Sequence, residues 1–232
     1  MTKLFNHKEF NHMMNQYNLK PTKISFPKHT IVNDLLSEKS NCLYLLNTGL
    51  LVGYLDLNKK IIYSFFTDNF FLGYFTAFEN IPLNLTFQTL TNCEVLCYQK
   101  KDVEFALSRF PENFEFQYSI MKTIAKHGYY SSLMLYRSPS SQVAFAFATL
   151  VKILDIKVTE GIAILPSEIR TTVLLNYCHI SKAHFYSQLK ELKENSIISK
   201  AHSQWQIDMD ALALNFPLLP HEKFEKNKEV VF

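Results

Sequence analysis

The stretch NYCHISKAHFYSQLKELKENSII, from Asn176 to Ile198, gathers hydrogen-bonding side chains of several sizes on one side of a helix. Helical spacing puts Lys182, Ala183, Tyr186, Ser187 and Lys190 on the outer side, with His184 and Gln188 on its flanks. Phe185, Leu189 and Leu192 line the opposite side, an apolar stripe that Ile197 and Ile198 continue. A solvated helix needs only generic charge outside. Ammonium, hydroxyl, imidazole, amide and phenol groups together suit a surface that reads something, and base edges and phosphates match that set.

Holding such a face in place is the task of the residues around it. Ser181 is a good N-cap. Ile169, Val173, Leu174 and Tyr177 fit one face of a shorter preceding helix, and the chain turns between the two at His179-Ile180. Downstream, KAHSQWQIDM reads as a hairpin. Two short helices joined by a tight turn and followed by a hairpin describe a winged helix-turn-helix. In that arrangement the second helix enters the major groove and its N-terminal residues reach base edges. Arg170, Thr171 and Thr172 would sit near phosphates, and Lys200, His202 and Ser203 of the wing would add backbone contacts. Local charge helps modestly: from Pro166 to Gln204, Arg170, Lys182, Lys190, Lys193 and Lys200 oppose Glu168, Glu191 and Glu194, and three His can gain charge. A winged helix that contacts a protein is the alternative.

Other chemistries find fewer residues to work with. Between Lys23 and Gln99 the only His is His29, so a cupin-like metal site of two or three His and a carboxylate cannot be assembled there. No nucleophile elbow, P-loop or H-E-x-x-H stretch is present, and an enzyme is not expected. The four Cys are scattered without a C-x2-C pair. Cys93 and Cys97 share one face of a strand, TNCEVLCYQ, where core thiols are the expectation and a redox pair the alternative.

The chain is 232 residues long and 47% hydrophobic, enough for a substantial core. A net charge of +3 gives no global sign of a nucleic-acid partner. The longest apolar run, VAFAFATLVKIL, contains Lys152 and is too short to span a bilayer, and the N-terminus lacks the apolar core of a signal peptide. A cytoplasmic protein without membrane partners is expected. Short runs from Lys23 to Gln99 (KISFP, TIVN, CLYLLNTGLLVGYLDL, KIIYSFF, LNLTFQTL, EVLCYQ) read as strands of a sandwich or rolled barrel, with Gly49 and Asn58 as corner signals. KKDVEFALSRF then reads as a short helix, and Pro111 and Glu112 open a long one. Phe114, Tyr118, Met121, Ala125, Gly128, Ser132 and Leu135 follow a heptad seam, and Ile120, Ile124, His127 and Met134 form a second stripe facing the barrel. Two stripes need two partners. The seam is read as a dimer contact, with a buried helix in a monomer as the alternative. Ser138 and Pro139 suggest a further helix through about Leu154. The fold expected is α+β, divided at residues 1–110, 111–137 and 138–232.

This order resembles the Crp/Fnr family of bacterial transcription regulators over nearly the whole chain. HISKAHFYSQLKELKENSIISKAH is similar to the family's G-x-S-R-E-T-V-S-R-x-L-x-x-L-x-x-x-G-L-I pattern, with Ser181, Leu189, Leu192 and Ile198 in their expected places. TNCEVLCYQKKDVEFAL resembles the family's last barrel strand and short helix. The resemblance implies a cyclic-nucleotide-binding-like β-roll, a long dimerisation helix and a C-terminal winged helix-turn-helix. It implies a homodimer on a near-palindromic DNA operator, with half-sites about one helical turn apart, and RNA polymerase as a further partner.

Departures from the family are as informative. The turn Gly is His179, and the family's base-reading Arg, Glu and Arg are Lys182, Ala183 and Ser187. Two bidentate guanine contacts are thereby lost, so an operator unlike the family's TGTGA-type half-site, or readout leaning on shape and phosphates, is expected. Cyclic-AMP-binding members carry Gly-Glu followed by Arg-Ser; here Tyr74 follows Gly73, and Leu83-Asn84 stand in the Arg-Ser place. A buried cyclic phosphate would lack its charge partner, so cyclic AMP is not expected. An N-terminal Cys cluster for an iron–sulfur centre is missing too. The resemblance is nearest the PrfA-like Firmicutes branch, whose members respond to a thiol peptide such as glutathione or act without ligand. An effector would meet Tyr63, Tyr74, Phe75, Phe87, His127 and Tyr130; the alternative is that these residues simply fill the barrel.

Overall fold

The computed structural model describes residues 7–33, 41–55, 61–72, 85–109, 113–136, 138 and 140–216. The chain divides into two compact units, Met1–Leu135 and Tyr136–Phe232. In the first, helix α1 (His7–Gln16) is followed by β1 (Thr22–Phe26), β2 (Cys42–Thr48), β3 (Leu51–Tyr54), β4 (Ile62–Phe66), β5 (Phe71–Leu72), β6 (Thr86–Thr89) and β7 (Cys93–Gln99). Helices α2 (Lys100–Ser108) and α3 (Asn113–Tyr136) complete it. The strands form two antiparallel sheets, β1-β7-β2-β5 and β4-β3-β6.

The two central strands of the four-stranded sheet are buried on both faces, which is why CLYLL and VLCY are unbroken apolar runs instead of alternating ones. Leu43, Leu45, Leu96 and Tyr98 pack with Phe10, Met13 and Met14 of α1, Val103, Ala106 and Leu107 of α2, and Phe116 and Ile120 of α3. Cys42, Tyr44, Leu46, Val95 and Cys97 turn to the other side and meet Leu51, Phe66 and Phe87 of the second sheet. All four cysteines are buried thiols outside any disulfide. Cys93 and Cys97 sit four residues apart on one strand, about 13 Å of rise, and cannot bridge. Burial raises the Cys93 thiol against opposing hydrogen bonds with Thr91 and Leu50, and burial also raises the Tyr44 phenol, with Cys97 and Cys42 adding to it.

The run TIVN forms no strand. It contributes one bridge, Ile31 to Gln88, and then the side chain of Asn33 takes over the strand's role. Its Nδ2 donates to Leu85 O at 2.5 Å and its Oδ1 accepts from Phe87 N at 2.6 Å. In α3 the stripe of Ile120, His127 and Met134 is buried, with Ile124 half-buried. On the other side Phe114, Tyr118 and Met121 are 76%, 48% and 48% exposed. Ala125 and Ser132 are exposed and Gly128 half-buried; the side chain of Leu135, like Asn58, Pro111 and Glu112, lies outside the described residues.

The second unit holds α4 (Gln142–Ile153), β8 (Ile162–Ile164), α5 (Thr171–Cys178), α6 (Lys182–Glu194), β9 (Ile198–Ala201), β10 (Gln204–Asp208) and α7 (Met209–Asn215). Its sheet runs β8-β10-β9, antiparallel throughout. Helix α4 starts at Gln142, later than Ser138 and Pro139 suggested. The Ser138 hydroxyl is engaged by Ser140 and Ser141 and caps no helical N–H. Nearly every α4 residue is buried, so the longest apolar run of the chain is a core helix. Among the described residues no helix is long and apolar enough to cross a membrane.

Gly49 closes the β2–β3 turn with φ +112°, and a Cβ there would stand 2.5 Å from Cys93 Sγ and 2.8 Å from Asn92 O. Gly49→Ala is therefore expected to lower the stability of this unit by more than about 1 kcal/mol, read as a fall in the urea midpoint followed by circular dichroism.

Candidate nucleic-acid interface

Three residues, His179, Ile180 and Ser181, join α5 to α6. His179 takes the left-handed conformation expected of the missing glycine, with φ 54° and ψ 30°. That geometry costs a non-glycine residue about 1–2 kcal/mol, although His is among the residues that tolerate it better than most. Ser181 then caps α6: its Oγ accepts from His184 N–H at 3.3 Å and lies 3.0 Å from His184 Nδ1. The cap satisfies an otherwise orphaned donor and draws the His184 ring back over the helix start.

Phe185, Leu189 and Leu192 are buried and seat α6 in the unit's core. The opposite side exposes Lys182, Ala183, His184, Ser187 and Lys190. Tyr186 is 43% exposed and meets the edge of Phe185 at 5.3 Å. Lys190 pairs with Glu194 at 3.6 Å. An exposed helical pair of this kind contributes at most about 1 kcal/mol, so the ammonium remains available to a stronger anion.

Gln188 does not belong to this face. It is buried, and its Oε1 accepts from Val143 N–H at 3.0 Å at the start of α4. The amide satisfies one of the donors that every helix leaves open at its N-terminus. Its helical position lies between the two sides, and α4 claims it from within. The sequence placed it among the readers, and the fold makes it a strut.

Arg170 is the N-cap residue of α5 and is exposed, as is Thr172, while Thr171 is half-buried. The wing is a two-residue hairpin between Ala201 and Gln204, with His202 and Ser203 at φ 49° and 67°. Both positive angles match the turn type whose twist suits paired strands, and both side chains are exposed at the tip. Lys200 is exposed on β9, opposite Trp205 of β10.

The residues suggested for an effector are brought together only in part. His127 is buried in α3, with Nδ1 2.6 Å from Ser64 Oγ, and its ring stacks on Phe66 at 4.9 Å and meets Phe70 at 5.3 Å. Phe87 is buried against the same Phe66 ring at 5.2 Å. Tyr63 receives a hydrogen bond from Ser131 Oγ at its carbonyl, 2.8 Å, and burial raises its phenol while Ser131 opposes the shift. Tyr130 meets Tyr129 edge-on at 5.4 Å. Gly73, Tyr74, Phe75, Leu83 and Asn84 lie outside the described residues. Among the described residues no group of three or more His, Cys, Asp or Glu could hold a metal ion.

No family model matches the chain, and no curated protein matches it by sequence. Solved structures do. A cyclic nucleotide-binding domain containing protein from Listeria monocytogenes EGD-e is 20% identical, with a TM-score of 0.72, covering 88% of this chain and 97% of that one. FixK2 from Bradyrhizobium japonicum is 15% identical, with a TM-score of 0.65 over 84% and 97% of the two chains. A putative transcriptional regulator of the Crp/Fnr family from Eubacterium rectale is 14% identical, with a TM-score of 0.58 over 90% and 94%. At these identities the likeness is one of fold, and the fold is the α+β architecture of Crp/Fnr-type regulators.

Gln188→Ala leaves the buried Val143 N–H without its acceptor and should cost about 1–3 kcal/mol. Trp205, the chain's only Trp, reports the loss as a lower urea midpoint in its emission. The sequence preference of the folded variant for DNA should be unchanged.

Proposed function

We propose that this chain is a sequence-specific DNA-binding transcription regulator of the Crp/Fnr type, nearest the PrfA-like branch, acting in the cytoplasm as a homodimer on a near-palindromic operator. The observation that carries the reading is α6. Its apolar side is buried and its start is capped, so Lys182, Ala183, Tyr186 and Ser187 project from a fixed helix in the manner a major groove requires. The shared fold of the solved structures supports it.

The exposed aromatic seam of α3 supports pairing with a second copy. Phe114 and Tyr118 stack at 6.5 Å on the surface of the single chain, and the small residues Ala125, Gly128 and Ser132 let two such helices approach. Two copies related by a two-fold axis would present two α6 helices to two half-sites. RNA polymerase is the further partner such a regulator implies. Cyclic AMP is not its signal, because Leu83 and Asn84 offer no charge to a cyclic phosphate. A peptide-like thiol such as glutathione remains the effector class to test, beside activity without ligand.

Two lysines of α6 separate base reading from backbone contact. Lys182→Ala should lower affinity and change which duplexes are preferred, costing about 1–3 kcal/mol at one base position. Lys190→Ala should weaken all duplexes alike and reduce the salt slope by about one phosphate contact in each protomer of the dimer. Titrations of matched and unmatched duplexes measure both. If neither substitution altered binding, the docking of α6 would be wrong, and a protein-contacting winged helix would take its place.

A further inference from the structure

We propose that Lys193 and Lys200 form a sequence-blind phosphate clamp seated on Trp205, separate from the base-reading end of α6; the proposal rests on the DNA-binding reading above. Lys193 lies in the last turn of α6, and Lys200 on β9 directly opposite Trp205. Their Nζ atoms stand 5.3 and 5.0 Å from the centroid of the same indole. Trp205 is 1% exposed, whereas both lysines are exposed. Such burial leaves their stems to cover the ring and their charged heads at the surface. The indole Nε1 has no hydrogen-bond partner among the described residues. The ring is held by packing, including Phe147 edge-on at 5.5 Å, and by the two cations.

Charge is what turns this cap into a site. Among the described residues neither ammonium has a carboxylate partner, although Lys190 on the same helix has Glu194. The face of an indole attracts cations and restricts where they go. Two like charges are thereby held over one ring. A phosphate relieves their repulsion, and lysine, a compact hydrated point charge, binds it without demanding a fixed geometry. The elements involved identify the source: one lysine is on the groove helix and the other on the wing, the parts that flank a duplex backbone in a winged helix. An edge-strand lysine can also simply guard β9 against pairing with another chain. That role alone predicts no response to DNA.

The full chain carrying Lys193→Met, Lys200→Met or both tests this, since Met keeps the apolar stem and removes the charge. Lys→Arg at the same positions restores the charge over the ring. Each Met variant should weaken matched and unmatched duplexes by one common factor. Between about 50 and 200 mM salt, the loss of affinity of the dimer should be about 12-fold smaller for each single variant, which removes one contact in each protomer, and about 150-fold smaller for the double. The Arg variants should keep the original slope. Adding duplex should change Trp205 emission in the unmodified chain and not in the double Met variant. Should Met unfold the wing, Lys→Gln carries the same expectation. Unchanged salt slopes in a protein that binds DNA would overturn the clamp and leave the DNA-binding reading intact. Altered sequence preference would overturn it too, by making these lysines base readers. A chain that binds no duplex at any salt would overturn both.

Discussion

The burial of α6 against α4 sets what the rest of the second unit can do. Helix α4 is apolar almost all round and lies inside, so α5 and α6 must each turn a stripe toward it. Phe185, Leu189 and Leu192 are the apolar residues that α6 buries, and Gln188 adds a directional bond to Val143 N at the start of α4. Packing alone tolerates some rotation of a helix about its axis; a buried amide acceptor does so far less. Rotation by one residue, about 100°, would exchange Lys182 and Tyr186 for the core stripe. Which residues face outward is therefore decided by the interior.

The chemistry left on the outer face is sparse. Lys182, Ala183 and Ser187 supply one flexible cation, one methyl and one hydroxyl. Arginine forks would read guanine bidentately, whereas in the proposed role these groups would reach fewer base atoms and tolerate more than one base. Tyr186 adds a half-exposed ring with a polar tip. Such a face leans on the surrounding structure to fix its register. The capped turn at Ser181 and the tight wing turn at His202-Ser203 provide rigid flanks. In the first unit, His127 and Ser131 tie the middle of α3 to β4 through Ser64 and Tyr63, which anchors one side of that helix and leaves the aromatic seam outside.

Much of this architecture is legible in the sequence because its signals are local. The period changes from two to near 3.6 at Lys101, Gly49 marks a corner, and Ser181 starts a helix at the position it occupies. Features that depend on tertiary partners are not. Gln188 sits on the boundary of the helical wheel, and only the position of α4 makes it an interior group. Lys193 and Lys200 come together only through the β9–β10 register, which follows from a two-residue turn at non-glycine residues. Asn33 acts as a strand through its side chain, which no alternation pattern encodes. Helix α1 is not among the elements expected from the sequence, although Phe10, Met13 and Met14 stand at i, i+3 and i+4. The aromatic residues of the roll were ambiguous from the start. Phe87 and His127 prove to be packed on Phe66.

The measurement closest to the central claim is selection of duplexes from a random pool by the purified full chain, at two salt concentrations and with no ligand added. The expected result is a near-palindromic motif, its half-sites about one helical turn apart, bound by a dimer and weakening steeply as salt rises. Recovery of no common motif at either salt would contradict it.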